Sequence, residues 1–172
     1  MHRDIKCANI LISENGECKL ADFNVSKVVS HKGGLLHTQT GTPYYASPEV
    51  WKDQPYDFKS DVWSLGCVLY EMAALRPPFK ANDMNGLYKK VISASYPPIP
   101  NRYSAEFKEL IAIMLQPNPN LRPIVDEILS HSILINRIHQ LRAFDNNIDA
   151  CANYLTAQAE EDSTPPRTSA SD

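Results

Sequence analysis

The stretch from Val62 to Ala74 constrains this chain most. Val62, Leu65, Leu69 and Met72 fall on one helical face, and Trp63, Cys67, Tyr70 and Ala74 fall on another. A helix that is apolar nearly all round must be covered by other elements, so the spacing predicts a central buried helix. Ser60 and Asp61 stand at its start, and either can cap it. Pro77 and Pro78 end it, because proline lacks the backbone donor a helix needs. The apolar run from Val62 to Tyr70 is far too short to span a bilayer.

Other elements follow from turn chemistry and periodicity. Ile10-Leu11-Ile12 and Cys18-Lys19-Leu20 flank an Asn15-Gly16 turn and read as a β-hairpin. The hairpin would hold Asn9 and Asp22 side by side at its open ends. A further helix is expected over Met84 to Ala94, followed by extended Tyr96 to Pro100. Ser104 caps another, in which Phe107, Leu110, Ile111, Met114 and Leu115 recur at helical spacing. Pro123 marks a last helix start, with Ile124 to Leu129 leading to His131. All these apolar positions read as core. Beyond His131, the positions Leu134, Ile138, Leu141, Ile148 and Leu155 approximate a stripe that Asp145-Asn146-Asn147 interrupts. That stripe fits a coiled coil or a helix folding back on the lobe. Residues 156–172 are rich in Ser, Thr, Pro and acids and read as a disordered tail.

Composition narrows the class. At 172 residues, 43% hydrophobic and 22% charged, the chain suits one soluble globular domain. A formal charge of −3 gives no broad electrostatic case for nucleic acid or an anionic membrane. Cys7, Cys18, Cys67 and Cys151 form no Cys-x-x-Cys pair and no metal-ligand spacing, so they read as reduced thiols of a cytoplasmic protein. No apolar signal segment follows Met1.

Chemistry concentrates at the start of the chain. His2-Arg3-Asp4 is followed by Asn9, and thirteen residues later by Asp22-Phe23. As isolated residues, Asp4 and Asn9 would read as turn caps. In this order and spacing they resemble the catalytic loop and metal-binding motif of protein kinases, with Asn24 where the motif has Gly. The resemblance implies a protein kinase-like α+β fold, of which this chain supplies mostly the α-helical C-terminal lobe. It implies ATP and Mg²⁺ as cofactors. Asp4 would be the base, Lys6 would offset charge at the γ-phosphate, and Asn9 and Asp22 would hold the metal. His2 and Phe23 would be structural. Asn is the residue next most tolerant of the left-handed backbone that Gly adopts, so metal binding is expected to survive at Asn24.

The stretch from Val25 to Gln39 reads as a loop. By resemblance it is the activation segment, with Thr38 and then Thr40 as candidate phosphosites and Arg3 as phosphate receiver. Gly41-Thr42-Pro43-Tyr44-Tyr45 leads to Ser47-Pro48-Glu49, which looks like the substrate-docking loop. Thr42 with Lys6 implies a Ser/Thr protein substrate. Glu49 is expected to pair with Arg122, and Asp61 to anchor the backbone of the catalytic loop.

Closer similarity is to NIMA-related (Nek) kinases, through the Gly41–Glu49 stretch, Leu65 to Met72, Pro78-Phe79 and Ser95 to Pro100. It covers about 130 residues. It implies a cytoskeletal or coiled-coil partner and cytoplasmic, cytoskeletal or ciliary location. The expected divisions are 1–131 as kinase C-lobe, 132–155 as helical extension and 156–172 as tail. The Gly-rich loop, strand lysine and αC glutamate of the family are expected upstream of His2, with Met1 an internal residue of a truncated chain. Such a fragment is expected to be marginally stable and inactive alone. The competing readings are a non-catalytic binding module made of a kinase fragment, and a pseudokinase.

Overall fold

In the computed structural model, which describes residues 1–23, 43–135 and 137, the chain begins with a short loop that closes in a 3₁₀ turn at Cys7–Asn9, followed by a small hairpin. Strands β1 (Ile10–Ile12) and β2 (Cys18–Leu20) pair antiparallel, with Ile10 opposite Leu20 and Ile12 opposite Cys18. Gly16 takes φ +83° in the connecting turn, a conformation that costs an L side chain energy. Among the described residues of 1–131, five helices follow: α1 (Pro48–Trp51), α2 (Phe58–Ala74), α3 (Met84–Ile92), α4 (Ala105–Met114) and α5 (Val125–Leu129). The chain divides into a unit of residues 1–131 and a second of 132–172. In the second, only 132–135 and 137 are described, and they are helical.

The central helix is α2. Trp63, Cys67, Tyr70 and Ala73 are buried on it and join Phe79, Leu87, Val91, Ile99, Ile111 and Leu115 in one core. Trp63 stacks on Phe79 with ring centroids 5.3 Å apart. Each large apolar side chain buried this way contributes about 1.5–3 kcal/mol. Helix α4 crosses α2 where Gly66 lacks a side chain; a Cβ there would lie 3.0 Å from Leu115 Cδ2.

Three expectations need correction. Neither Ser60 nor Asp61 caps α2. Asp57 does, accepting from the Lys59 N–H at 2.8 Å, which frees Ser60 and Asp61 for other work. The helix ends before the prolines, at Leu75 in a left-handed turn with φ 55°. The apolar residues are not all core: Met72, Ile124, Val125 and Leu129 are exposed, and only Ile128 of α5 is buried. Periodicity cannot distinguish a face that the described residues cover from one they leave open. The Ser104 cap is present, accepting from the Phe107 N–H at 3.2 Å.

Candidate active site

Two elements fix the segment His2–Asn9. From α2, the Asp61 carboxylate accepts the His2 N–H at 2.7 Å and the Arg3 N–H at 2.8 Å. From the far end of the hairpin, the Ala21 carbonyl meets His2 Nε2 at 3.0 Å, while the Ala21 N–H donates to the Asn9 carbonyl at 2.8 Å. The Asp4 N–H donates to His2 Nδ1 at 3.3 Å. One ring nitrogen therefore accepts and the other donates, which assigns the ring hydrogen to Nε2. Phe23 packs edge-on against His2 at 4.8 Å. The buried imidazole thus ties the two motifs together.

Asp4 is the convergence point. Its Oδ2 accepts from Lys6 Nζ at 2.6 Å and from Asn9 Nδ2 at 3.1 Å. Asn9 Nδ2 also donates to the Asp4 carbonyl at 2.8 Å. These bonds commit the Asn9 amide nitrogen inward and leave Oδ1 as the group it can offer a cation. Among the described residues nothing donates to Asp4 Oδ1, which leaves that oxygen able to accept a proton. Asp22 stands exposed past the hairpin with φ 64°, a conformation uncommon outside glycine. The neutral amide oxygen of Asn9 and the carboxylate of Asp22 are the hard, sparse donor set that suits Mg²⁺ completed by phosphate and water. The residues therefore fit the Mg²⁺ that the motif implies.

Arg3, with φ 75°, donates from Nε to the Tyr56 hydroxyl at 3.2 Å. Thr38, Thr40 and Thr42, and Asn24, lie outside the described residues. Glu49 and Arg122 meet in a two-pronged ion pair, with 2.6 Å between Oε1 and NH1 and 2.7 Å between Oε2 and NH2. Ser60 donates to Glu49 Oε1 at 2.5 Å, and Arg122 donates further to the Gln116, Lys59 and Pro117 carbonyls. Burial pushes the Glu49 carboxyl up, but the Arg122 bonds and charge outweigh it and hold it below the usual carboxylate value. This pair secures the start of α1, directly after the Tyr44-Tyr45 segment.

Sequence reasoning missed one cluster. The Tyr45 hydroxyl donates to Glu71 Oε2 at 2.5 Å, linking the Tyr44-Tyr45 segment to α2. Burial and then the Glu71 bond drive the Tyr45 phenol far above its ordinary value. The signal was available: Glu71 is the one acid between Val62 and Ala74. Burial, chiefly, also raises the Cys7 thiol beside this pair. A cavity of about 410 Å³ opens here, lined by Lys6, Ala8, Tyr44, Tyr45, Glu71 and Pro77.

The family profile described as "Protein kinase domain" matches residues 1–134. This chain belongs to the protein kinase family. Its curated relatives include Nek kinases. It is 41% identical over 140 residues to the serine/threonine-protein kinase Nek1 of Mus musculus, covering 81% of this chain and 12% of that protein. Identity is 40% over 157 residues to Nek4 of Mus musculus, covering 88% and 20%. It is 44% over 134 residues to Nek6 of Oryza sativa subsp. japonica, covering 78% and 25%. The chain thus spans a quarter or less of these kinases' own lengths. The described residues, mostly helical with a small two-stranded sheet, agree with a kinase C-lobe.

Proposed function

We propose that this chain carries the catalytic loop, metal-binding and substrate-docking portion of a protein Ser/Thr kinase, which moves the γ-phosphoryl group of ATP to a protein Ser or Thr. The observation that carries the reading is the convergence of Lys6 and Asn9 on one oxygen of Asp4, with no described residue donating to the other. Asp4 accepts the hydroxyl proton as the substrate oxygen attacks the γ-phosphorus and the bond to the ADP oxygen breaks. Lys6, already beside Asp4, offsets charge on the transferring group. Asn9 and Asp22 would hold Mg²⁺, which when bound neutralises phosphate charge. Asp61 and His2 keep this loop in shape, so little reorganisation is needed during transfer.

Phosphorylation of Thr38, with Arg3 as receiver, belongs to the same proposal, as do cytoplasmic location and a cytoskeletal or coiled-coil partner. The test is phosphate transfer from radiolabelled MgATP to a Ser/Thr peptide library by the native protein as its gene encodes it. Transfer that Asp4→Asn abolishes supports the reading. A wild-type protein that binds MgATP yet transfers nothing overturns it and favours a docking module.

A further inference from the structure

The turn between β1 and β2 carries a chemistry that phosphoryl transfer does not use. Asn15 and Gly16 are both exposed, and a Cβ added at Gly16 would meet nothing within 4 Å. The backbone nitrogen that follows Asn15 is therefore open to water. The Asn15 side chain, by contrast, is held. Its Oδ1 accepts from the Ser13 hydroxyl at 2.5 Å, and the Glu17 N–H points at the same oxygen from 3.5 Å. An Asn oxygen turned forward to the N–H two residues on brings its own carbonyl carbon beside the nitrogen in between, here that of Gly16. The two donors draw electrons from that carbon and face the oxygen on which charge gathers when a nucleophile adds. The Gly16 N–H lies in its peptide plane and donates to the Ser13 carbonyl at 2.9 Å, so the face of the nitrogen stays open to Asn15.

We propose that Asn15 is a self-modification site: the turn promotes deamidation of Asn15, with the Ser13 hydroxyl speeding the reaction. Hydroxide takes the Gly16 amide proton, the nitrogen attacks Asn15 Cγ, and the Cγ–Nδ2 bond breaks as ammonia leaves with a proton from water. The cyclic imide so formed takes up water. Opening one of its ring C–N bonds gives aspartate, and opening the other gives isoaspartate, whose side-chain carbon now lies in the main chain. Either product sets a new carboxylate between Glu14 and Glu17. Isoaspartate also lengthens the turn that the Ser13 N–H closes on the Glu17 carbonyl at 3.0 Å. The same hairpin spaces Asn9 and Asp22, through the bond from the Ala21 N–H to the Asn9 carbonyl. Asn15 is thus a clock set into the element that frames the proposed metal ligands. Asn85-Gly86 is the same dipeptide in the first turn of α3, with the Gly86 N–H held by Asp83 Oδ1 at 2.7 Å. There the helix tilts the Asn85 side chain back towards the helix start, away from the next nitrogen.

The experiment ages the native protein in mildly alkaline buffer and follows both sites by peptide mass spectrometry. Methyl transfer from S-adenosylmethionine by a protein isoaspartyl methyltransferase reports isoaspartate. Asn15 should convert about tenfold faster than Asn85, a barrier difference of about 1.4 kcal/mol. In urea both sites become plain Asn-Gly, so the two rates should converge, with Asn15 slowing and Asn85 speeding up. Ser13→Ala should slow Asn15 about tenfold, less than the 10²–10³ typical of a buried oxyanion donor, because water reaches this turn. Asn85 should convert at its wild-type rate in Ser13→Ala, which separates loss of the hydroxyl from loss of the fold. Equal rates at the two sites in the native protein overturn the proposal. So does an Asn15 rate that urea leaves unchanged or raises, and so does an Asn15 rate that Ser13→Ala does not lower.

Discussion

The Asp61 carboxylate accepts the Arg3 backbone N–H at 2.8 Å, and Arg3 is held at φ 75°, where a non-glycine backbone is strained. The central helix thus fixes the shape of the His2–Asn9 loop directly. Asp61→Asn would turn one acceptor into a donor facing a backbone N–H. The expected result is a stability loss of about 1.5–3 kcal/mol, from a hydrogen bond to a charged group, with a fall in kcat. Urea denaturation and peptide phosphorylation check it. Unchanged stability and unchanged kcat would show that the loop holds its shape without Asp61.

Asp4→Asn separates chemistry from structure. The side chain remains isosteric, so Asn9 and Lys6 keep a neighbour of the same size. Loss of a general base typically costs about 10²–10⁴-fold in rate, and that fall is expected in kcat. The midpoint of unfolding should move little. Nucleotide affinity, read by calorimetry with MgATP, should stay within a few fold. A variant that retains near-full kcat would remove Asp4 from the role of base.

Glu49 and Arg122 are buried and satisfy each other, so removing one leaves a buried charge unpaired. Arg122→Ala should cost about 3–5 kcal/mol. The same pair predicts the acid limb of stability. The folded Glu49 carboxyl lies below its ordinary value of 4.5, so its contribution is complete above that pH and is lost as pH falls through the lower, folded value. Glu49→Gln should be less stable than wild type near neutrality and show a shallower loss below pH 4.5. Thermal melts from pH 3 to pH 7 would reveal equal slopes if the pair is unimportant.

Much of this site was legible because its chemistry is local in sequence. His2, Asp4, Lys6 and Asn9 lie within one turn-rich stretch, and the Asn15-Gly16 turn told where the chain returns to Asp22. The hairpin and the Ser104 cap likewise follow from neighbouring residues. Long-range hydrogen bonds are different. That Asp57 rather than Ser60 caps α2 depends on Glu49 and Ser47 claiming the Ser60 hydroxyl. Tyr56 as the partner of Arg3, and Tyr45 as the partner of Glu71, join residues 53 and 26 positions apart. No local pattern encodes such pairs. The exposed Met72, Val125 and Leu129 show the converse limit, since apolar spacing marks a face without saying what covers it.

Gly66 tests the packing of α2 on α4. A methyl group there would meet Leu115 Cδ2 and Met114 Cβ, each 3.0 Å from the added carbon. Leu115 is a side-chain end and can shift, whereas Met114 Cβ is fixed to its backbone. Gly66→Ala gains up to about 1 kcal/mol of helix propensity. Overpacking a tight core costs about 1–3 kcal/mol, so the net expectation is destabilisation. Chemical denaturation decides the sign, and a more stable variant would mean that α4 moves away at little cost.

The three described cysteines should react in an order set by burial. The thiolate is the nucleophile, so both exposure and acidity matter. Cys18 is exposed on β2. Cys7 is half-buried, and burial, with the nearby Glu71 charge, raises its thiol. Cys67 is wholly buried in the core, and burial drives its thiol well above the usual range. Iodoacetamide at mildly alkaline pH should therefore modify Cys18 first, Cys7 more slowly, and Cys67 only when the lobe opens. Peptide mapping over a urea series reads each site separately, and Cys67 labelling should follow the global unfolding curve. Early labelling of Cys67 without denaturant would mean that α2 is not the fixed centre of this fold.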